Sequence, residues 1–218
     1  MGSKKLYVYK QPPILPSQQD LGKILQKADN ARAKAVIALM AFSGLGLATI
    51  RKLRITNMPD LVVGSTTIDF TKMPAKIIWS SPIFEPPIPT FFTFLCGQGC
   101  DYLREYLKER LRNSDKLIPF SHVIRNSDLS ELRRSIRQPI VNAGFDFTPH
   151  DFCRYFAKQM GSAEEAGSID GDYRRFFMGH FMSEAQRKRN VRMKKLPASL
   201  ESTMRKGYDE AASKYLVV

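Results

Sequence analysis

Pro149-His150-Asp151-Phe152-Cys153-Arg154-Tyr155-Phe156, followed downstream by Phe177-Met178-Gly179-His180, is the most informative part of this 218-residue chain. Helical periodicity predicts one helix from Pro149 to Met160 and another from Asp172 to Met178, the second closed by the Gly179-His180 turn. Taken alone, His150 and His180 read as a helix-start residue and a turn residue, each satisfied by backbone.

Working outward, helices are expected wherever apolar residues recur at helical spacing. Ser17 is a good N-cap for a helix through about Asp29, carrying Leu21, Ile24, Leu25 and Ala28 on one face. Arg32 to Phe42 is apolar on most sides and stops at Gly44, so it is expected at the centre of the core. Ala48 to Leu53 reads as a short helix with Arg51, Lys52 and Arg54 at its outer end. Further helices are expected over Cys100–Arg112, Leu129–Ala143, where Pro139 should kink or end the segment, and Ala198–Leu216. Between Thr66 and Leu95 the pattern changes. Thr66–Phe70, Lys76–Ser80 and Thr90–Leu95 are β-branched or aromatic and separated by Pro-containing turns. The fold class expected is mainly α with a small antiparallel three-stranded sheet, an α+β arrangement. Residues 1–16 are expected to be an extended, Pro-rich N-terminal arm and residues 17–218 one domain.

Composition bounds the function. Lys and Arg number 34 against 21 Asp and Glu, a formal charge of +13, and a surplus of that size favours a polyanionic partner. Cys96, Cys100 and Cys153 are an odd number without CxxC pairing or neighbouring His, so reduced thiols, no metal and no cofactor are expected. The first residues lack an apolar signal core and nowhere do 18 apolar residues run together, so neither secretion nor membrane spanning is expected. The expectation is an intracellular protein.

The order of elements, a helix-turn at Ser43-Gly44-Leu45, a β-hairpin, the His150 helix and the Gly179-His180 turn, resembles the catalytic domain of tyrosine recombinases, most closely archaeal and archaeal-virus integrases. That family transfers phosphodiesters with a Tyr nucleophile, two Arg, a Lys on the β-hairpin and two His or related donors. The resemblance places the first Arg directly after Ser43-Gly44-Leu45, where this chain has Gly46. The second Arg belongs three residues after His150, where Cys153 stands. Arg154 is next to it, but one residue on a helix is about 100° of rotation, so it should face elsewhere. The hairpin Lys falls within residues 81–89, which hold no lysine and contain Glu85, a carboxylate that would repel a scissile phosphate. The Tyr usually follows the Gly-His turn by about eight or nine residues, which here reaches Lys188 and Arg189. His150 and His180 are retained.

The resemblance therefore implies a catalytically inactive, tyrosine-recombinase-like DNA-binding protein of regulatory or architectural role, of archaeal, viral or plasmid origin and acting in a prokaryotic cytoplasm or nucleoid. Its duplex-DNA surface would be a basic rim of Arg51, Lys52, Arg54, Arg154, Lys158, Arg174, Arg175, Arg187, Lys188, Arg189, Arg192, Lys194 and Lys195. Arg133, Arg134 and Arg137 offer a second basic face. Because the family assembles by passing a C-terminal helix to a neighbour, residues 198–216 are a candidate for a homo-oligomer contact. Two other readings stand beside this one. One is an active recombinase using a displaced tyrosine such as Tyr208, which with Tyr215 has the i, i+7 spacing of a packing face. The other is a protein-interaction module that has lost DNA binding.

Overall fold

A computed structural model describes residues 15–80, 90–125, 128–179 and 198–218. The elements run α1 (Gln18–Lys27), α2 (Ala31–Ser43), α3 (Leu47–Lys52), a 3-10 turn (Ile55–Asn57), β1 (Leu61–Val63), β2 (Ile68–Phe70), β3 (Ala75–Ser80), β4 (Thr90–Leu95), α4 (Gly97–Arg112), α5 (Leu129–Asn142), α6 (Pro149–Glu165), α7 (Gly171–Phe177) and α8 (Ala198–Tyr215).

The helices start and stop where their chemistry says they should. Ser17 accepts from the Asp20 N–H at 3.1 Å while the Asp20 carboxylate accepts from the Ser17 N–H at 3.0 Å, a reciprocal cap that satisfies two otherwise free donors. Helix α2 is buried along nearly its whole length and ends on Gly44 at φ 73°, a left-handed conformation that costs glycine nothing. Around α2 pack α4, α5, α6 and strand β4. Burying each of Ile37, Leu39 and Phe42 contributes roughly 1.5–3 kcal/mol of transfer free energy, which is why this helix needs no polar face.

Two expectations are corrected. The strands form two separate two-stranded antiparallel sheets, β1 with β2 and β3 with β4, not one three-stranded sheet. Strand β2 takes Leu61–Val63 as its partner, a strand too short for its alternation to stand out in the sequence. The edge of β3 is then closed by Asp60, whose carboxylate accepts the Lys76 N–H at 2.9 Å, the donor a third strand would have used. The second correction concerns Pro139, which does not end its segment. It sits inside α5, which continues to Asn142, and the Ala143 N–H closes on the Pro139 carbonyl at 3.0 Å.

Strand β4 supplies most of the aromatic core. Residues 91–95 are all buried, as a continuous apolar strand covered on both faces must be. Phe91 and Phe92 meet Phe176 of α7 at ring separations of 5.4 and 5.0 Å, and Phe94 meets Phe177 and Tyr208 at 5.7 and 5.6 Å. Helix α8 is therefore seated on the body of its own chain. A polar girdle reinforces it: Arg205 pairs with the buried Asp60 at 3.0 Å and with Glu201 at 3.4 Å, and Lys76 pairs with Glu201. At its end, Gln98 donates to the Val218 carbonyl at 2.8 Å and accepts from the Val218 N–H at 3.3 Å.

Candidate nucleic-acid interface

The turn after α2 and the start of α6 face one another. Gly44 can approach the Phe156 ring because it has no Cβ; a methyl placed there would lie 2.5 Å from the ring. This contact brings Leu45 and Gly46 against the first turns of α6, where the Cys153 thiol donates to the Leu45 carbonyl at 3.4 Å. Cys153 is 7% exposed, and burial pushes its thiol pKa up to about 12, so it is a neutral packing residue under ordinary conditions. Gly46 is the N-cap of α3 with an unremarkable φ of −74°, and a side chain added there would meet nothing within 4 Å. Of the two positions at which the family resemblance expects arginines, 153 makes this hydrogen bond and 46 directly follows its acceptor residue. One is filled by a buried thiol and the other is open.

Arg154, the neighbouring cation, is engaged elsewhere. It is exposed and donates to the Asp151 carboxylate at 3.1 Å. Asp151 is itself committed: the Thr148 N–H and hydroxyl donate to it at 2.8 and 2.7 Å, capping α6. Its burial pushes the carboxyl pKa up, but the Thr148 donors and Arg154 outweigh that and hold it below the ordinary carboxylate value. The Thr148-x-x-Asp151 spacing, a capping-box signature, was the signal for this pin. His150 is exposed at the second residue of α6.

Tyr208 is fully buried, and its hydroxyl donates to the Phe42 carbonyl at the end of α2. Burial raises its pKa well above the ordinary phenol value. To meet a phosphate it would have to leave the core together with α8. Gly179, at φ 80°, lets its turn press against Trp79, since a Cβ there would sit 2.5 Å from the indole. His180, Glu85, Lys188 and the rest of the 187–195 basic run lie outside the described residues.

The expected basic rim divides in two. Arg154, Arg174 and Arg175 are paired with Asp151, Glu164 and Asp172. Arg51, Lys52, Arg54 and Lys158 have no carboxylate within salt-bridge distance among the described residues. On α5, Arg133 and Arg134 are exposed, while Arg137 pairs with Asp146 and donates to the Phe147 carbonyl at 2.7 Å. Surface pairs of this kind are worth about 0–1 kcal/mol, so a phosphate can displace them. The unpaired group at the end of α3 offers its charge without that exchange. Among the described residues no cluster of three or more His, Cys, Asp or Glu is placed to hold a metal ion, and no helix is long and apolar enough to cross a membrane.

No family model and no curated protein matches the chain. Solved structures do. XerA recombinase aligns at a TM-score of 0.58 with 20% identity over 89% of this chain and 65% of that one. An integrase from mycobacterium phage Brujita aligns at 0.60 with 14% identity over 93% and 59%. XerH site-specific recombinase bound to difH substrate, in a pre-cleavage complex, aligns at 0.51 with 16% identity over 91% and 55%. This chain accordingly spans 55–65% of the length of those structures. The likeness is one of fold: the mostly helical body with small antiparallel sheets matches the tyrosine-recombinase catalytic-domain fold.

Proposed function

We propose that the protein is a catalytically inactive, tyrosine-recombinase-like DNA-binding protein that occupies duplex DNA in a regulatory or architectural role. The observation that carries this reading is the pairing of Cys153 with the Leu45 carbonyl beside the open Gly46. A buried neutral thiol and an empty position stand where phosphoryl transfer needs preorganised positive charge. Such donors, in a site shielded from water, are each worth several kcal/mol of barrier lowering. Without them the scaffold binds and does not cleave.

Duplex DNA is the partner best matched to the +13 charge, to the unpaired cations of α3, and to a fold shared with a recombinase structure that holds its difH substrate. The basic run at 187–195, Arg154, Lys158, Arg174 and Arg175 complete the proposed surface. A prokaryotic cell or one of its archaeal, viral or plasmid elements is the setting we infer. Helix exchange between copies remains part of the proposal only for assemblies in which residues 198–216 leave their own body.

The test is fluorescence-anisotropy binding to a short duplex, a single strand and an RNA hairpin across a salt series, with a denaturing gel of the same mixtures on nicked DNA. Salt-steep duplex binding without a protein–DNA adduct is the expected result, because each neutralised phosphate releases about one counterion. An adduct lost in Tyr208→Phe would establish the active-enzyme reading instead, and absence of duplex binding at low salt would point to protein partners.

A further inference from the structure

The turn Ile118–Ser121, between α4 and α5, turns apolar side chains outward. Ile118 is 57% and Phe120 69% exposed, Pro119 between them is exposed too, and Phe120 is the one exposed Phe, Tyr or Trp among the described residues. Single exposed apolar residues are common. This turn differs because it is both rigid and ringed by cations.

Its rigidity comes from hydrogen bonds at every residue. The Ser121 N–H donates to the Ile118 carbonyl at 2.8 Å, and the Ser121 hydroxyl accepts from the Ile118 N–H and donates to the Lys116 carbonyl, both at 3.1 Å. The segment after α3 lies alongside. The Ile55 N–H donates to the Ser121 carbonyl at 2.9 Å, the Thr56 N–H to the Pro119 carbonyl at 3.0 Å, and the Arg54 guanidinium to the Phe120 carbonyl at 2.8 Å. From the other side Arg110, 8% exposed, donates to the His122 and Val123 carbonyls at 2.6 and 3.0 Å while paired with Asp115.

Arg54 and Arg110 are brought to the turn by the same contacts, and Arg51 and Lys52 precede Arg54 in the chain. Arg54 and His122 stand opposite each other in an isolated antiparallel bridge. Burial and then Arg54, Arg110 and Arg51 hold the His122 imidazole below its ordinary pKa, a sign that these cations converge there. Among the described residues, Arg51, Lys52, Lys116 and Arg125 have no carboxylate within salt-bridge distance; the nearby Asp115 is taken up by Arg110, and Asp128 interacts with Arg51 only from beyond that distance.

We propose that the Ile118-Pro119-Phe120 turn is a duplex-DNA contact, its apolar tip seated in a groove while Arg51, Lys52, Arg54 and Lys116 meet the flanking phosphates. The inference rests on the DNA-binding reading above and names the element that would do the seating. A partner for this turn must present anions on both sides of an apolar strip. Duplex DNA does so, with phosphates along the groove edges and sugar and base surfaces between, and apolar wedges of Phe, Ile or Pro are a recurring way to engage it. An uncharged apolar protein surface would bury these cations unpaired, at a cost of several kcal/mol each.

The experiment compares wild type, Phe120→Ala, Ile118→Ala and Arg51→Ala/Lys52→Ala on a duplex across a salt series, with 2-aminopurine placed at successive steps. Because both apolar side chains are mostly exposed, thermal melting should not change in the Phe120 and Ile118 variants. The expected result is about tenfold weaker binding for Phe120→Ala with an unchanged slope of log Kd against log salt. The double variant should lower that slope by about two. The 2-aminopurine signal should rise with wild type and stay flat with Phe120→Ala. Wild-type binding matched by Phe120→Ala and Ile118→Ala would overturn the contact and leave the DNA reading intact. Equal losses on an RNA hairpin or a single strand would replace groove seating by stacking on unpaired bases, and no duplex binding by wild type would remove both readings.

Discussion

The Cys153 thiol hydrogen-bonds to the Leu45 carbonyl at 3.4 Å, joining the first turns of α6 to the residue just before Gly46. The family resemblance expects arginines at positions 46 and 153, far apart in sequence, and this contact places both positions in one small region.

Placing arginine at these two positions should have unequal consequences. Gly46→Arg meets open space and replaces a tolerated N-cap, so its cost should stay below about 1 kcal/mol. Cys153→Arg forces a guanidinium into a 7% exposed position and should cost about 3 kcal/mol or more. Chemical denaturation of the two variants measures the difference, and equal stabilities would contradict the placement of Cys153.

Tyr208→Phe should lower stability by about 1–2 kcal/mol, because it strands the Phe42 carbonyl in the core. Tyr208→Ala should cost about 3–5 kcal/mol from the cavity left between Phe94 and Phe177. A Tyr208→Phe variant as stable as wild type would mean that the hydroxyl is free.

Gly44→Ala and Gly179→Ala should each destabilise by about 2 kcal/mol or more. Gly44 sits at φ 73° and Gly179 at φ 80°, and both substitutions place a methyl 2.5 Å from an aromatic ring. Gly161→Ala, with ordinary φ inside α6 and nothing within 4 Å, is the control and should be neutral or stabilising by helix propensity.

Acid titration should reveal the α6 cap. The Asp151 carboxyl is held below the ordinary value near 3.8, so its contribution is fully present above that pH and is lost as pH falls through the lower folded value. Thr148→Ala should weaken this dependence and cost about 1 kcal/mol at neutral pH. An unchanged pH–stability curve in Thr148→Ala would show that the cap does not set the titration.

The thiols should react slowly in the native protein. Burial raises Cys96 to about 11 and Cys153 to about 12, and raises Cys100 further, leaving little thiolate at pH 8. A colourimetric thiol reagent should therefore label native protein slowly and label all three cysteines quickly after unfolding.

The helices were legible because their signals are local. Ser17, Gly44 and the all-apolar run of α2 announce caps and a core helix without reference to anything distant. The sheets were misread because β1 has only three residues and because Asp60, whose side chain closes the edge of β3, looks in sequence like an ordinary loop acid. Within the site, the substitutions at 46 and 153 were visible once the resemblance was drawn. The hydrogen bond from Cys153 to Leu45 that brings the two positions together was not, since it joins residues 108 positions apart. The same limit hid the ion pairs that occupy Arg154, Arg174 and Arg175, and the turn at 118–121, whose anchors lie on α3 and α4.

Those anchors have a consequence for how the turn can change over time. Arg54, Arg110, Ile55 and Thr56 grip only carbonyl oxygens at positions 119–123, which every amino acid possesses. Ser121 alone contributes its own side chain to the internal bonding of the turn. The shape of the loop is thus independent of what residues 118 and 120 display, and new chemistry can be tried at the tip by single substitutions without first solving a folding problem.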